Sequence, residues 1–88
     1  MPTPDEIAGE NLATLRTYGP DTYKSLEKKC RSADGNEKTT VKNMRAFLIS
    51  HGLAKEVAPG HASGKSGDKL QPGTTKFLKE VAKALKEA

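Results

Sequence analysis

The sequence predicts a mainly α-helical, small single-domain protein, built as a bundle of about four helices. Apolar residues recur at three- and four-residue steps in four stretches, and helix start or stop signals bound each of these stretches. The chain of 88 residues fits one domain that spans residues 1–88. Because a chain this short buries only about 60–65% of its unfolded surface, a deep substrate cavity is not expected.

The first half of the chain predicts two helices. The first begins with a capping box at residues 3–6, with proline at the first helical position, and ends at Gly19-Pro20. Its apolar face consists of Ile7, Ala8, Leu12 and Leu15. The second helix is predicted to start at Asp21 or Thr22 and to end before Asp34-Gly35-Asn36. Its inner face is formed by Tyr23, Leu26, Cys30 and Ala33.

Two more helices are predicted in the second half. The third is capped by Thr39 or Thr40 and ends at Gly52-Leu53, with an inner face of Val41, Met44, Phe47, Leu48 and His51. The inner face of the fourth consists of Phe77, Leu78, Val81, Ala82 and Leu85. Four lysines of the fourth helix fall within about 80° of arc, a pattern typical of a solvated face: Lys76, Lys79, Lys83 and Lys86.

Residues 54–73 form a glycine- and lysine-containing loop or wing between the last two helices. Residues 53–57 and 68–71 favour two short strands of a hairpin only weakly, and Pro72 limits the second strand to a sheet edge. The alternative is an irregular loop. A long loop inside a small domain is often functional, so this segment is a candidate binding element.

The charge distribution favours an anionic partner. The formal net charge is +4, but residues 1–20 carry −2 and residues 21–88 carry +6. The excess of lysine and arginine therefore belongs to everything after the first helix. Such an excess is suited to a nucleic-acid backbone or to an acidic protein surface.

Other function classes find little support. Cys30 is the only cysteine, which excludes an internal disulfide and a four-cysteine metal site. The two histidines and the acidic residues show no recognised metal-ligand or catalytic spacing. We therefore predict no enzymatic activity, no cofactor and no metal. The sequence contains no apolar run of membrane-spanning length and no signal peptide, so we expect a cytoplasmic protein.

The stretch from Asp21 to His51 is interpreted as a helix, a turn and a second helix that binds DNA. A helix of this kind enters the major groove with its N-terminal residues. Asn43 and Arg45 have the donors and acceptors to address adenine and guanine edges, and the neighbouring lysines and threonine suit phosphates. The predicted nucleic-acid-binding residues are Lys38, Thr39, Lys42, Asn43, Arg45, Lys65 and Lys69.

This arrangement resembles a winged helix-turn-helix domain over about residues 20–85. Residues 50–53 are similar to the Gly-Leu step that ends a recognition helix, and residues 70–75 are similar to the exit from a wing into the next helix. The resemblance implies that Lys65 and Lys69 contact phosphates from the tip of the wing. A second resemblance is to SAP-type modules, in which two short helices flank an extended loop.

The sequence thus predicts a small DNA-binding protein, a transcriptional regulator or accessory factor that acts through helix 39–51 and the basic loop. Binding to paired half-sites would require a homodimer. The alternative is a protein–protein interaction module or inhibitor that docks on an acidic surface of a larger complex. These two classes differ in whether a partner is retained after nuclease treatment.

Overall fold

The computed structural model describes residues 2–58, 60, 61 and 69–88. This part of the chain contains four α-helices: α1 (Pro4–Tyr18), α2 (Pro20–Cys30), α3 (Glu37–Ser50) and α4 (Pro72–Glu87). The prediction of a small, mainly helical bundle is confirmed. Helices α1, α2 and α3 pack against one another in all three pairs, and α4 packs against α2.

In its described part, the segment between α3 and α4 is an irregular loop and not a hairpin. Residues 53–58 and 69–71 form no strand, and a single antiparallel bridge joins His61 to Leu70. Leu53–Val57 is therefore not a strand. This agrees with its modest β-propensity, since a two-stranded ribbon needs good cross-strand pairs to persist. Residue 59 and residues 62–68 lie outside the described part of the chain.

The ends of the helices follow from their capping groups. Thr3 caps α1 as predicted, because its hydroxyl oxygen accepts a hydrogen bond from the Glu6 backbone N–H at 3.2 Å. Helix α2 begins at Pro20, earlier than predicted, since proline is well suited to the first helical position. It also ends earlier, at Cys30, where Arg31 turns to extended backbone angles. Ala33 consequently lies outside the helix and is exposed.

Helix α3 begins at Glu37, so the prediction of a cap at Thr39 or Thr40 is wrong. Asn36 is the cap: its side-chain oxygen accepts from the Thr39 backbone N–H at 3.0 Å. Thr40 instead closes the turn, because its hydroxyl accepts from the Ser32 N–H at 3.1 Å and donates to the Asn36 carbonyl at 2.9 Å. Gly35 supplies the positive φ of 74° that this turn requires.

The core lies between the four helices and contains one residue from the segment after α3. Its buried apolar side chains are Ala8, Leu12, Leu15, Leu26, Met44, Leu48, Leu53, Phe77, Val81 and Ala84. Six other predicted core residues are only half-buried at its margin: Ile7, Tyr23, Val41, Phe47, Leu78 and Leu85. The predicted inward position of His51 is wrong, since this side chain is exposed at the end of α3.

Two buried polar side chains hold the segment after α3 against the bundle. The Asn11 side chain donates to the Lys55 carbonyl at 2.7 Å and accepts from the Lys55 N–H at 3.1 Å. The hydroxyl of fully buried Thr74, in the first turn of α4, donates to the Ala58 carbonyl at 2.8 Å. These bonds replace the strand pairing that the segment lacks, and they fix α4 relative to α1.

Candidate nucleic-acid-binding surface

A basic surface of the described structure lies on α4. Its members are exposed lysines that lie three or four residues apart, which we call the lysine face: Lys76, Lys79, Lys83 and Lys86. The helix begins after Gln71, and the buried side of the same helix contains Phe77 and Val81. Because that side is fixed in the core, the lysines point away from the bundle as one group.

Two acidic residues beside the lysine face, Glu80 and Glu87, neutralise it only in part. Glu80 forms an ion pair with Lys55, with Oε2 and Nζ 2.5 Å apart. Lys83 and Glu87 lie 4.0 Å apart, and both side chains are largely exposed, so this pair is weak. Among the residues that the structure describes, Lys76, Lys79 and Lys86 form no ion pair.

Glu80 illustrates how the surrounding cations act on a carboxylate. The hydrogen bond from Lys55 holds the pKa of Glu80 below its ordinary value, and the charges of Lys55 and Lys76 act in the same direction. Glu80 is thus ionised near neutral pH and paired with a lysine from outside α4. Most of the charge of the lysine face is therefore not paired within the described part of the chain.

A shallow open groove runs along the lysine face. It is lined by Pro72, Thr75, Lys76, Lys79, Glu80 and Lys83. Its walls are largely the aliphatic stems of the lysines, whose ammonium groups reach into solvent. The groove is suited to a polyanion that lies along the helix, and it has no enclosed pocket for a small substrate.

The predicted site on α3 separates into two groups. Lys38, Thr39 and Lys42 are exposed on the N-terminal half of the helix, where solvent and a ligand can reach them. The hydroxyl of Thr39 is exposed, and its backbone N–H is the group that Asn36 caps. The phosphate contacts of these three residues stay a prediction.

The two predicted base-reading residues are engaged within the protein. The Asn43 side-chain amide donates to the Cys30 carbonyl at 3.0 Å and so joins α3 to the end of α2. Arg45 Nε donates to an Asp5 carboxylate oxygen at 2.9 Å, which joins α3 to the first turn of α1. These contacts join the three helices, and each occupies one donor of a side chain predicted to read bases.

The loop residues of the predicted site are described only in part. Lys69 is exposed, two residues before the cap of α4. Lys65 lies outside the described residues. Lys69 is therefore close in sequence to the lysine face, whereas Lys38 and Lys42 belong to a different helix. The regular spacing of the lysines in α4 was the sequence signal for this second surface.

The potential catalytic and ligand-binding groups are dispersed. Burial raises the pKa of the Cys30 thiol, which opposes formation of a nucleophilic thiolate. His51 stacks on Phe47 with ring centroids 4.2 Å apart. Within the described ranges no three histidine, cysteine or acidic side chains are grouped to hold a metal ion. No described helix combines the length and apolar character needed to cross a membrane.

No family model, curated protein or solved structure matches this chain. The resemblances to winged helix-turn-helix and SAP-type modules therefore stay predictions from the sequence.

Proposed function

We propose that this protein binds DNA, and that the lysine face of α4 supplies the main contacts to the phosphate backbone. The observation that carries this proposal is the grouping of Lys76, Lys79, Lys83 and Lys86 on one exposed side of a helix, with Glu80 already paired to Lys55. A surface of this kind attracts a polyanion because binding releases the counterions that are condensed on the polyanion.

The dimensions of the lysine face suit a DNA backbone. Lys76 and Lys86 are ten residues apart, which corresponds to about 15 Å along the helix axis. Duplex DNA carries one negative charge for about every 1.7 Å of its axis, so several phosphates lie within that span. Flexible lysine side chains reach neighbouring phosphates without requiring a fixed geometry.

Helix α3 provides a secondary surface in this proposal. Lys38, Thr39 and Lys42 are exposed and suit additional phosphate contacts, as the sequence predicts. A role as a transcriptional regulator or accessory factor, the homodimer and the cytoplasmic location also stay predictions. The alternative partner, an acidic protein surface, would contact the same lysines and is separated from DNA by the experiment below.

Three matched double variants test the proposal. Each replaces two exposed lysines, four residues apart on one helix, and lowers the net charge equally: K79Q/K83Q on α4, K38Q/K42Q on α3 and K24Q/K28Q on α2. Binding to a short DNA duplex is measured as a function of salt concentration. We expect K79Q/K83Q to reduce the slope of log K against log salt by about 1.8, because two phosphate contacts are lost.

The other two variants serve as controls for position and for charge. K24Q/K28Q should leave the slope unchanged, and K38Q/K42Q should reduce it by less than K79Q/K83Q does. Equal effects of all three variants would show that net charge alone drives binding and would refute the assignment to α4. Absence of DNA binding at low salt would refute the function itself. Retention of a stoichiometric protein partner after nuclease treatment would favour the acidic-protein alternative.

A further inference from the structure

We infer that the DNA bound by the lysine face is double-stranded and is recognised independently of its base sequence. This inference rests on the proposed function and specifies its ligand. Three properties of the described residues carry it: the side chains present on the lysine face, the internal contacts of Asn43 and Arg45, and the positions of the aromatic rings.

The lysine face carries groups that bind phosphates and lacks those that read bases best. Its groove is lined by lysines together with Pro72, Thr75 and Glu80, and neither arginine nor asparagine contributes to it. A lysine ammonium is a compact charge with rotatable donors, whereas the fixed fork of arginine and the amide of asparagine match particular base edges. Contacts to phosphates position a protein on DNA but do not distinguish one base sequence from another.

The two side chains predicted to read bases each make a contact within the fold. The Asn43 amide bonds to the Cys30 carbonyl, and the Arg45 guanidinium bonds to Asp5. Arg45 is also largely shielded, with 27% of its side chain exposed. Direct readout by α3 would therefore have to use the remaining donors of these side chains or break a contact between helices.

The aromatic rings are placed where they do not serve as a stacking platform for unpaired bases. The chain has two phenylalanines, two tyrosines and no tryptophan. Phe77 is fully buried, Phe47 is half-buried and stacked on His51, and Tyr23 packs against the core. Tyr18 meets the edge of His61, with ring centroids 5.7 Å apart.

Sequence-tolerant binding of single strands depends on such platforms. Stacking of a base on an aromatic side chain contributes about 1–3 kcal/mol per base. None of the four rings lies on the lysine face, which therefore gains charge contacts only. A duplex presents a higher density of phosphates than a single strand, so a surface that works by charge alone favours the duplex.

The test measures binding of the full chain to defined oligonucleotides at one low salt concentration. One set contains duplexes of equal length and base composition but scrambled order, and a second set contains the separated strands. We expect affinities for the duplexes to agree within about threefold, compared with the 10³-fold or larger ratios typical of specific binders. We expect the single strands to bind at least about tenfold more weakly.

The outcomes separate this inference from the proposed function. Preference for one duplex, or binding of single strands equal to or tighter than that of duplexes, would overturn the inference while leaving DNA binding in place. No binding to any oligonucleotide would overturn the proposed function instead. The K79Q/K83Q variant provides a check, since it should weaken binding to all scrambled duplexes by the same factor if bases are not read.

Discussion

At the scale of single residues, the Lys55–Glu80 ion pair has an effect beyond its own energy. Lys55 lies in the irregular segment after α3, and Glu80 lies beside the lysines of α4. An exposed pair of this kind contributes little to stability. Its consequence is electrostatic, because it pairs the Glu80 carboxylate with a lysine from outside α4.

The titration of Glu80 tests this residue-scale account. The bond from Lys55 holds the pKa of Glu80 below its ordinary value, so the pair is intact near neutral pH and is lost as pH falls through the depressed pKa. We expect Lys55→Met to raise the pKa of Glu80 toward its ordinary value, as measured by NMR titration of its side-chain carboxyl carbon. Lys38→Met on α3 is the control, and an unchanged Glu80 pKa in Lys55→Met would contradict the pairing.

At the scale of elements, the turn between α2 and α3 shows how local hydrogen bonds set helix boundaries. Ser32 and Asp34 are joined side chain to side chain, and this bond is the main reason that the pKa of Asp34 is lowered. The Asn36 backbone N–H donates to both of these side chains. The sequence identified the turn, but several of its residues are good caps, and only the bonding pattern selects Asn36.

We expect Asn36→Ala to lower the free energy of unfolding by about 1 kcal/mol, because it removes the cap of α3. Thr39→Ala is the matched control at one of the two positions, Thr39 or Thr40, that the sequence offered as the cap. Its hydroxyl is exposed, and its loss should change stability by less than about 0.5 kcal/mol. Urea unfolding of both variants measures the difference, and a larger effect at Thr39 would contradict the assigned cap.

At the scale of the whole molecule, the bundle depends on polar contacts between segments far apart in sequence. Asn11 and Lys55 are separated by 44 positions, and the Asn11 side chain bonds to both backbone groups of Lys55. Thr74 makes the corresponding link from α4 to Ala58. These hydrogen bonds hold the irregular segment against α1 and α4. The orientation of α4, and with it the lysine face, therefore depends on this segment.

Asn11→Ala should lower the free energy of unfolding by about 2 kcal/mol, since two hydrogen bonds of nearly buried groups are lost. Asn43→Ala removes one hydrogen bond at an exposed side chain and should have a smaller effect, about 0.5–1 kcal/mol. Denaturant unfolding of both variants provides the comparison. If the Asn11 variant were as stable as the Asn43 variant, the two hydrogen bonds between Asn11 and Lys55 would contribute little to the free energy of unfolding.

The sequence by itself determined the helical class, the four helices and most of the core. The periodic spacing of apolar residues and the ending of helices by proline and glycine are local features that depend on only a few neighbouring residues. Leu12, Leu26, Met44, Phe77 and Val81 are buried as their spacing predicts. The lysine face was also visible as a periodic stripe.

Only the tertiary structure decided which polar side chains bond within the protein and which can bind a ligand. Asn43 and Arg45 looked like base-reading side chains, yet they bond to Cys30 and Asp5, which lie 13 and 40 positions away. Asn11 and Thr74 are buried, and their side chains bond to Lys55 and Ala58, which lie 44 and 16 positions away. A polar side chain is governed by the partner that folding brings to it, and no local pattern specifies a partner at that distance.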